Sequence, residues 1–198
     1  MGLLAWWRTA RLRRKFVSVG SGCDIATHNM DIKGKVTLGD RCTLRGNLVL
    51  RTHKGGRIVL HDDATIADYC LFQINALAEI GEGSYVGPYC VVRDTNHVFQ
   101  GTDIHWRLTP HITEPIIIGK NCFIGSGTYL MPGVTIGDGA LVAPRSVVTK
   151  DVGPLEVWAG SPARMVAHRT DEEKQAKLKR YLDHIAMFGF REPEEAEA

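Results

Sequence analysis

A chain of 198 residues, 44% hydrophobic and 23% charged, has room for one substantial domain plus a short appendage. Its formal charge of +2 gives no electrostatic footprint for nucleic acid. No stretch approaches the ~18 to 20 apolar residues of a membrane-spanning helix, and five cysteines without a Cys-x-x-Cys spacing indicate neither a disulfide framework nor a zinc site.

The first predicted element is a basic and aromatic N-terminal segment, residues 1–17. Leu3 to Trp7 precedes the basic cluster of Arg8, Arg11, Arg13, Arg14 and Lys15, and is too short for a secretory core, so the default compartment is cytoplasmic. Trp6 and Trp7 beside those cations suit an anionic membrane surface, contacted peripherally through residues 1–16. Packing on a neighbouring subunit is the alternative use of the same segment.

From residue 18 to 168 the chain steps by six. The aliphatic positions are Val19 and Ile25, then Ile32, Leu38, Leu44 and Leu50, then Leu60, Ile66 and Phe72, and then Ile80, Val86 and Val92. After a gap come Ile118, Ile124, Leu130, Ile136, Val142 and Val148. Four places after each aliphatic the residue is usually small, and Cys23, Cys42, Cys70, Cys90 and Cys122 all fall in this slot, as small fillers of a narrow core. A helix would scatter a six-residue period around its surface, and strict alternation would not single out every third alternate residue. A β-helix explains it, with each hexapeptide a short strand plus a turn and the stacked coils burying one aliphatic ladder. Turn slots such as Asp40-Arg41, Glu82-Gly83 and Asp138-Gly139 carry the matching residues. The frame slips between Ile25 and Ile32, and Thr52 to Arg57 reads as a small out-turn.

One break is much larger. The frame is lost after Val92 and resumes at Ile116, which defines an extruded loop over 93–117 carrying His97, His105 and His111. A long loop held by a rigid coil is where a site is expected. Beyond the coil, Thr170 and Glu173 have capping-box spacing, and Leu178, Tyr181, Leu182, Ile185 and Phe188 form a helical stripe. These predict a C-terminal α-helix over 169–190, followed by an acidic tail, 191–198.

The repeat, the ending Val148 to Val152 followed by Ala159 to Arg164 (Ala-Gly-Ser-Pro-Ala-Arg), and His97 at the mouth of the loop, 17 residues after Ile80, resemble the hexapeptide-repeat acyltransferases. The galactoside and xenobiotic O-acetyltransferase branch is the nearest in pattern. The resemblance implies an all-β fold, a left-handed parallel β-helix with three hexapeptides per turn. It also implies a homotrimer whose site is shared between subunits, acetyl-CoA as co-substrate, no metal, and a hydroxyl-bearing sugar or glycan as acceptor.

Residue roles follow from the same resemblance. His97 occupies the place of the catalytic histidine, and the chemistry needs a base titrating near neutrality to take the acceptor's hydroxyl proton. Taken alone, His97 would read as a solvated loop residue. Asp94, three residues earlier, is expected to orient its ring, a task that loop carbonyls also perform. Ser126 matches a family residue near the thioester, where an oxyanion needs a donor, and reads equally as a turn residue. Backbone groups near Ala143 and Pro144 are expected along the pantetheine arm of coenzyme A. Lys150 and Arg164 fall near its nucleotide end, where cations suit phosphates, and read otherwise as solvated surface charges. Asn75, His105 and His111 are the acceptor-side residues.

Three rival readings share the coil. N-acetylation of a nucleotide-linked amino sugar uses the same fold and base, although no Gly-rich strand-helix opening for a nucleotide domain is present. A carbonic anhydrase of the γ type needs histidines on adjacent coil faces, whereas the three here sit 8 and 6 residues apart in one loop. A non-catalytic assembly module has no need of a loop histidine at that place.

Overall fold

The structure, a computed structural model, describes residues 12–26, 28–98 and 105–172. The expected C-terminal α-helix from residue 173 on, the acidic tail, and residues 1–11 of the segment assigned to a membrane or subunit contact lie outside the described residues.

Outside the loop the coil's strands up to Val148 run two to four residues and are each followed by a corner, so each pairs with its counterpart one coil away. Three parallel sheets result. The first face stacks strands from Ser18–Val19 to Thr135–Ile136, and the third face stacks strands from Asp31–Lys33 to Val147–Val148. The second face begins with Asp24–Ile25 and ends with Glu156–Gly160, onto which Ala163–His168 folds back antiparallel. That hairpin occupies the stretch from Ala159 to Arg164 that the sequence marks as the end of the coil. The result is the parallel β-helix that the six-residue period predicts.

The inward ladder is the predicted one. Leu38, Leu44, Leu50, Leu60, Ile66, Phe72, Ile80, Val86, Val92, Ile118, Ile124, Leu130, Ile136, Val142 and Val148 are all buried. At ~1.5–3 kcal/mol per buried aliphatic side chain, this column is the main stabilising term. Four-residue strands add a second inward rung that the six-residue frame does not mark, formed by Val36, Ile58, Ile74 and Ala78. Leu12 and Phe16, from the last part of the N-terminal segment, also join this core. They close the first coil, so this part of the segment belongs to the fold.

Corners set the remaining constraints. Coils stack at strand spacing of about 4.8 Å, which leaves little room at a turn. A Cβ on Gly81 would collide with the carbonyl of Gly119 in the next coil, so glycine is required there. At the corner between the second and third faces, Asn29, Asn47, Tyr69, Tyr89, Gly127 and Arg145 all adopt positive φ. Tyr69 and Tyr89 stack with centroids 4.9 Å apart, and that contact offsets part of the cost of left-handed backbone at a tyrosine.

The small slot is more than a filler. Cys42 Sγ donates to the His61 carbonyl at 3.1 Å, Cys70 to Gly87 at 3.1 Å, Cys90 to Gly125 at 3.3 Å and Cys122 to Gly137 at 3.1 Å. Ser84 Oγ does the same to Gly119 at 2.6 Å. Each donor meets a corner carbonyl of the next coil, and among the described residues no buried side-chain polar atom lacks a partner.

Candidate active site

The frame breaks at the corner between the third and first faces. The strand Val91–Arg93 ends a regular coil, and the next strand on the first face is Ile116–Ile118. Register partners on the third face are 18 residues apart at Tyr129↔Val147 and 38 apart at Val91↔Tyr129, so the insertion extrudes without disturbing the stacking.

Asp94 anchors the root of the loop. It is fully buried, and its carboxylate accepts the backbone N–H of Asn75 at 2.9 Å and of Ala76 at 2.6 Å, together with the hydroxyl of Thr95 at 2.9 Å. At this corner the following coil has departed, so these two amides would otherwise face a missing carbonyl. The same device appears where Lys35 N–H donates to Thr52 Oγ1 and Thr135 N–H to Asp151 Oδ1. The sequence-based role of Asp94 as orienter of the His97 ring is therefore corrected, because its carboxylate is spent on the coil corner. The Asp94 carbonyl accepts from Glu114 N–H at 2.9 Å, which ties the outgoing chain to the returning one.

Past this root the loop folds into a hairpin of Thr95–His97 with His111–Thr113, paired Thr95↔Thr113, Asn96↔Ile112 and His97↔His111. Thr95, Ile112 and Thr113 are β-branched and suit extended backbone. His97 is half-buried, and its backbone N–H donates to Asn96 Oδ1 at 3.0 Å. Its ring is held on two sides. Nδ1 lies 2.9 Å from Oγ1 of Thr109, and the His111 ring leans against it with centroids 4.2 Å apart and planes at 46°. Of the three loop histidines, His97 and His111 are thus brought together. His105 is exposed beside the short 3-10 turn Trp106–Leu108, where its Nδ1 accepts the Arg107 N–H at 3.2 Å.

Asn75 sits at the loop root through its amide bond to Asp94, half-buried on the corner that His97 leaves. Lys150 is exposed on the same corner, two coils beyond the break. Ser126, Ala143 and Pro144 occupy the other flank of the third face. There the turns after Ile124 and Val142 stack so closely that Arg145 N–H donates to the Ser126 carbonyl at 2.8 Å. Ser126 and Ala143 are half-buried and Pro144 is exposed. Within one chain these residues and His97 therefore stand on different corners. Arg164 lies exposed on the terminal antiparallel strand, with Nη1 donating to the Ala163 carbonyl at 2.8 Å. Sequence reasoning missed Thr109, because its proximity to His97 depends on the hairpin register.

No three His, Cys, Asp or Glu side chains converge as a ligand set among the described residues. Residues 115–150 match the family model described as bacterial transferase hexapeptide (six repeats). The galactoside O-acetyltransferase of Escherichia coli (strain K12) is 35% identical over 105 residues, covering 52% of this chain and 49% of that enzyme. These matches make the hexapeptide-repeat acyltransferases the family to which this chain is similar. It spans about half the length of that galactoside enzyme. A hexapeptide-repeat-containing acetyltransferase of Vibrio cholerae O1 biovar eltor, solved with acetyl coenzyme A, matches with TM-score 0.55 at 25% identity, over 86% of this chain and 81% of that one. AntD, an N-acyltransferase from Bacillus cereus solved with dTDP-4-amino-4,6-dideoxyglucose and coenzyme A, matches with TM-score 0.71 over 88% and 96%. At 18% identity it shows a likeness of fold alone. The residues matched to the family model hold Ser126, Ala143, Pro144 and Lys150, while the hairpin of the hexapeptide-repeat protein lies ahead of them.

Proposed function

We propose that the protein transfers an acetyl group from acetyl-CoA to a hydroxyl of a sugar or glycan-type acceptor, with His97 as the general base. The observation that carries this reading is the placement of His97. It is half-buried at the one long extrusion among the described coils, with its ring held by Thr109 and His111. The relatives that are named acetyltransferases, and the acetyl coenzyme A in the Vibrio cholerae structure, supply the co-substrate.

An alcohol is a poor nucleophile until its proton is accepted as it attacks. In this reading the acceptor oxygen adds to the thioester carbonyl carbon as its proton passes to His97. The tetrahedral intermediate places its oxyanion near Ser126, collapse breaks the C–S bond, and the imidazolium returns the proton to the departing thiolate. Asn75 and His111 line the acceptor side at the loop root and hairpin, with His105 further out. Ala143 and Pro144 flank the pantetheine arm, and Lys150 and Arg164 meet phosphates at opposite sides of the coil's end. The cytoplasm, where acetyl-CoA is made, is the compartment that suits it.

His97 and the Ser126 corner face away from each other along one coil, so a site using both is built between copies, in a homotrimer. The second face supports this reading with an outward stack of Tyr85 on Phe123, centroids 5.3 Å apart. The test is a panel of sugars, glycan fragments and amino-sugar nucleotides assayed for coenzyme A thiol release. His97→Ala is expected to lower kcat by ~10² to 10⁴, the usual contribution of a general base. A variant keeping more than about a tenth of wild-type kcat overturns the assignment. Turnover of amino-sugar nucleotides alone would make the protein an N-acetyltransferase.

A further inference from the structure

The geometry points to Thr109 as the positioning residue of the base, fixing the tautomer in which Nε2 of His97 carries the reactive lone pair. The inference rests on the reading of His97 as general base. Thr109 stands in the returning arm of the loop, 12 residues from His97. Its neighbours Leu108 and Pro110 are exposed, yet Thr109 is only 5% exposed. A hydroxyl on an exposed loop has water as its default partner; this one is turned inward, 2.9 Å from His97 Nδ1.

A neutral imidazole holds one proton, on Nδ1 or on Nε2, and its other nitrogen is the acceptor. A base is competent only when the lone pair sits on the nitrogen that meets the substrate. With Nδ1–H donating to Thr109 Oγ1, the lone pair is at Nε2. When Nε2 takes the acceptor's proton, the ring becomes a cation and its Nδ1–H bond to Oγ1 becomes charge-assisted and stronger. Thr109 therefore helps the transition state more than the resting state, which is the condition for a contribution to kcat.

His111 restrains a different freedom. It faces His97 directly across the hairpin, and its ring, tilted 46° against that of His97, opposes the rotation that would exchange Nδ1 and Nε2. The hydroxyl fixes where the proton rests, and the second imidazole fixes the ring's plane. Asp94, which sequence spacing nominated for this work, is occupied at the coil corner.

The experiment uses the full chain with Thr109→Val, which keeps the side-chain shape, and Thr109→Ser, which keeps the hydroxyl. Val is expected to lower kcat about tenfold, a part of the ~10² to 10⁴ that a general base supplies, with both KM values close to wild type. Ser is expected to restore most of it. In ¹⁵N spectra of histidine-labelled protein at alkaline pH, with His97 assigned from its loss in His97→Ala, the wild type should show a protonated Nδ1 and a bare Nε2. Thr109→Val should show a mixture of tautomers. Undiminished kcat in Thr109→Val beside a crippled His97→Ala overturns the positioning role alone, as does a wild-type spectrum with the proton on Nε2. Undiminished transfer by His97→Ala overturns the base itself.

Discussion

Among single residues, the cysteines show most directly how burial and chemistry are linked. Cys42 is buried, and desolvation pushes its thiol up to about 11. Burial likewise raises Cys122. Cys70 is raised by its hydrogen bond with Cys90 and by burial. Alkylating agents react with the thiolate, and at pH 8 only on the order of one Cys42 in a thousand is ionised. Iodoacetamide at that pH is expected to leave Cys42, Cys70 and Cys122 unlabelled in the folded protein, while Cys23, half-buried at the first coil, reacts first. Unfolding without reductant should expose five labelled thiols, as counted by mass spectrometry. Rapid labelling of Cys42 in the native state, or a recovered disulfide, contradicts the inward slot. The slot itself was legible from spacing. Its donation of S–H to the next coil's carbonyl was not, because that depends on which carbonyl the stacking presents.

The corner is the element in which the sequence and the fold depend most on each other. Carboxylates there cap amides of the preceding coil: Asp40 takes the Ser21 N–H at 2.7 Å, Asp62 that of Asp40 at 2.9 Å, Asp68 that of Gly46 at 3.0 Å and Asp138 that of Lys120 at 2.8 Å. The backbone bond to Ser21 holds the Asp40 carboxyl below its ordinary range, and the guanidinium of Arg41 does so for Asp63. Asp94 is the buried member of this class and carries the hairpin. Asp94→Ala removes the acceptor on which the N–H groups of Asn75 and Ala76 converge, leaving both without it at a buried corner. The expected loss is about 1–3 kcal/mol of stability, the usual cost of an unsatisfied buried polar group. It is read from denaturant melts, with kcat falling as the loop root loosens. A melt indistinguishable from wild type would show that the carboxylate is not the anchor.

At the scale of the whole molecule, each coil buries its aliphatic residues only by stacking on the next, so stability accrues along the axis. Leu12 and Phe16 close the first coil, and the antiparallel strand Ala163–His168 covers the edge at the other end. Among the described residues the sides remain open, and Phe123 stays 43% exposed in its stack with Tyr85. A β-helix can bury such an outward aromatic pair against a second copy without altering its own core. Light scattering at assay concentration is therefore expected to give about three times 21.9 kDa. A fully active monomer would require His97 and the Ser126 corner to work from within one chain, against their separation across the third face.

The sequence by itself determined the coil. A six-residue period admits one way of burying Ile118, Ile124, Leu130 and their counterparts together, and local spacing was sufficient to read it. It also located the loop, since a frame that stops after Val92 and resumes at Ile116 has to leave the coil and return. What only the tertiary structure decided is the order within the loop. The hairpin register sets His111 opposite His97, and the turn before it swings Thr109 against Nδ1. The departure of the chain from the corner turns Asp94 inward to two stranded amides. Those contacts join residues 12 to 19 positions apart within or across the break in the repeat, so they form only once the coil has fixed both ends of the loop.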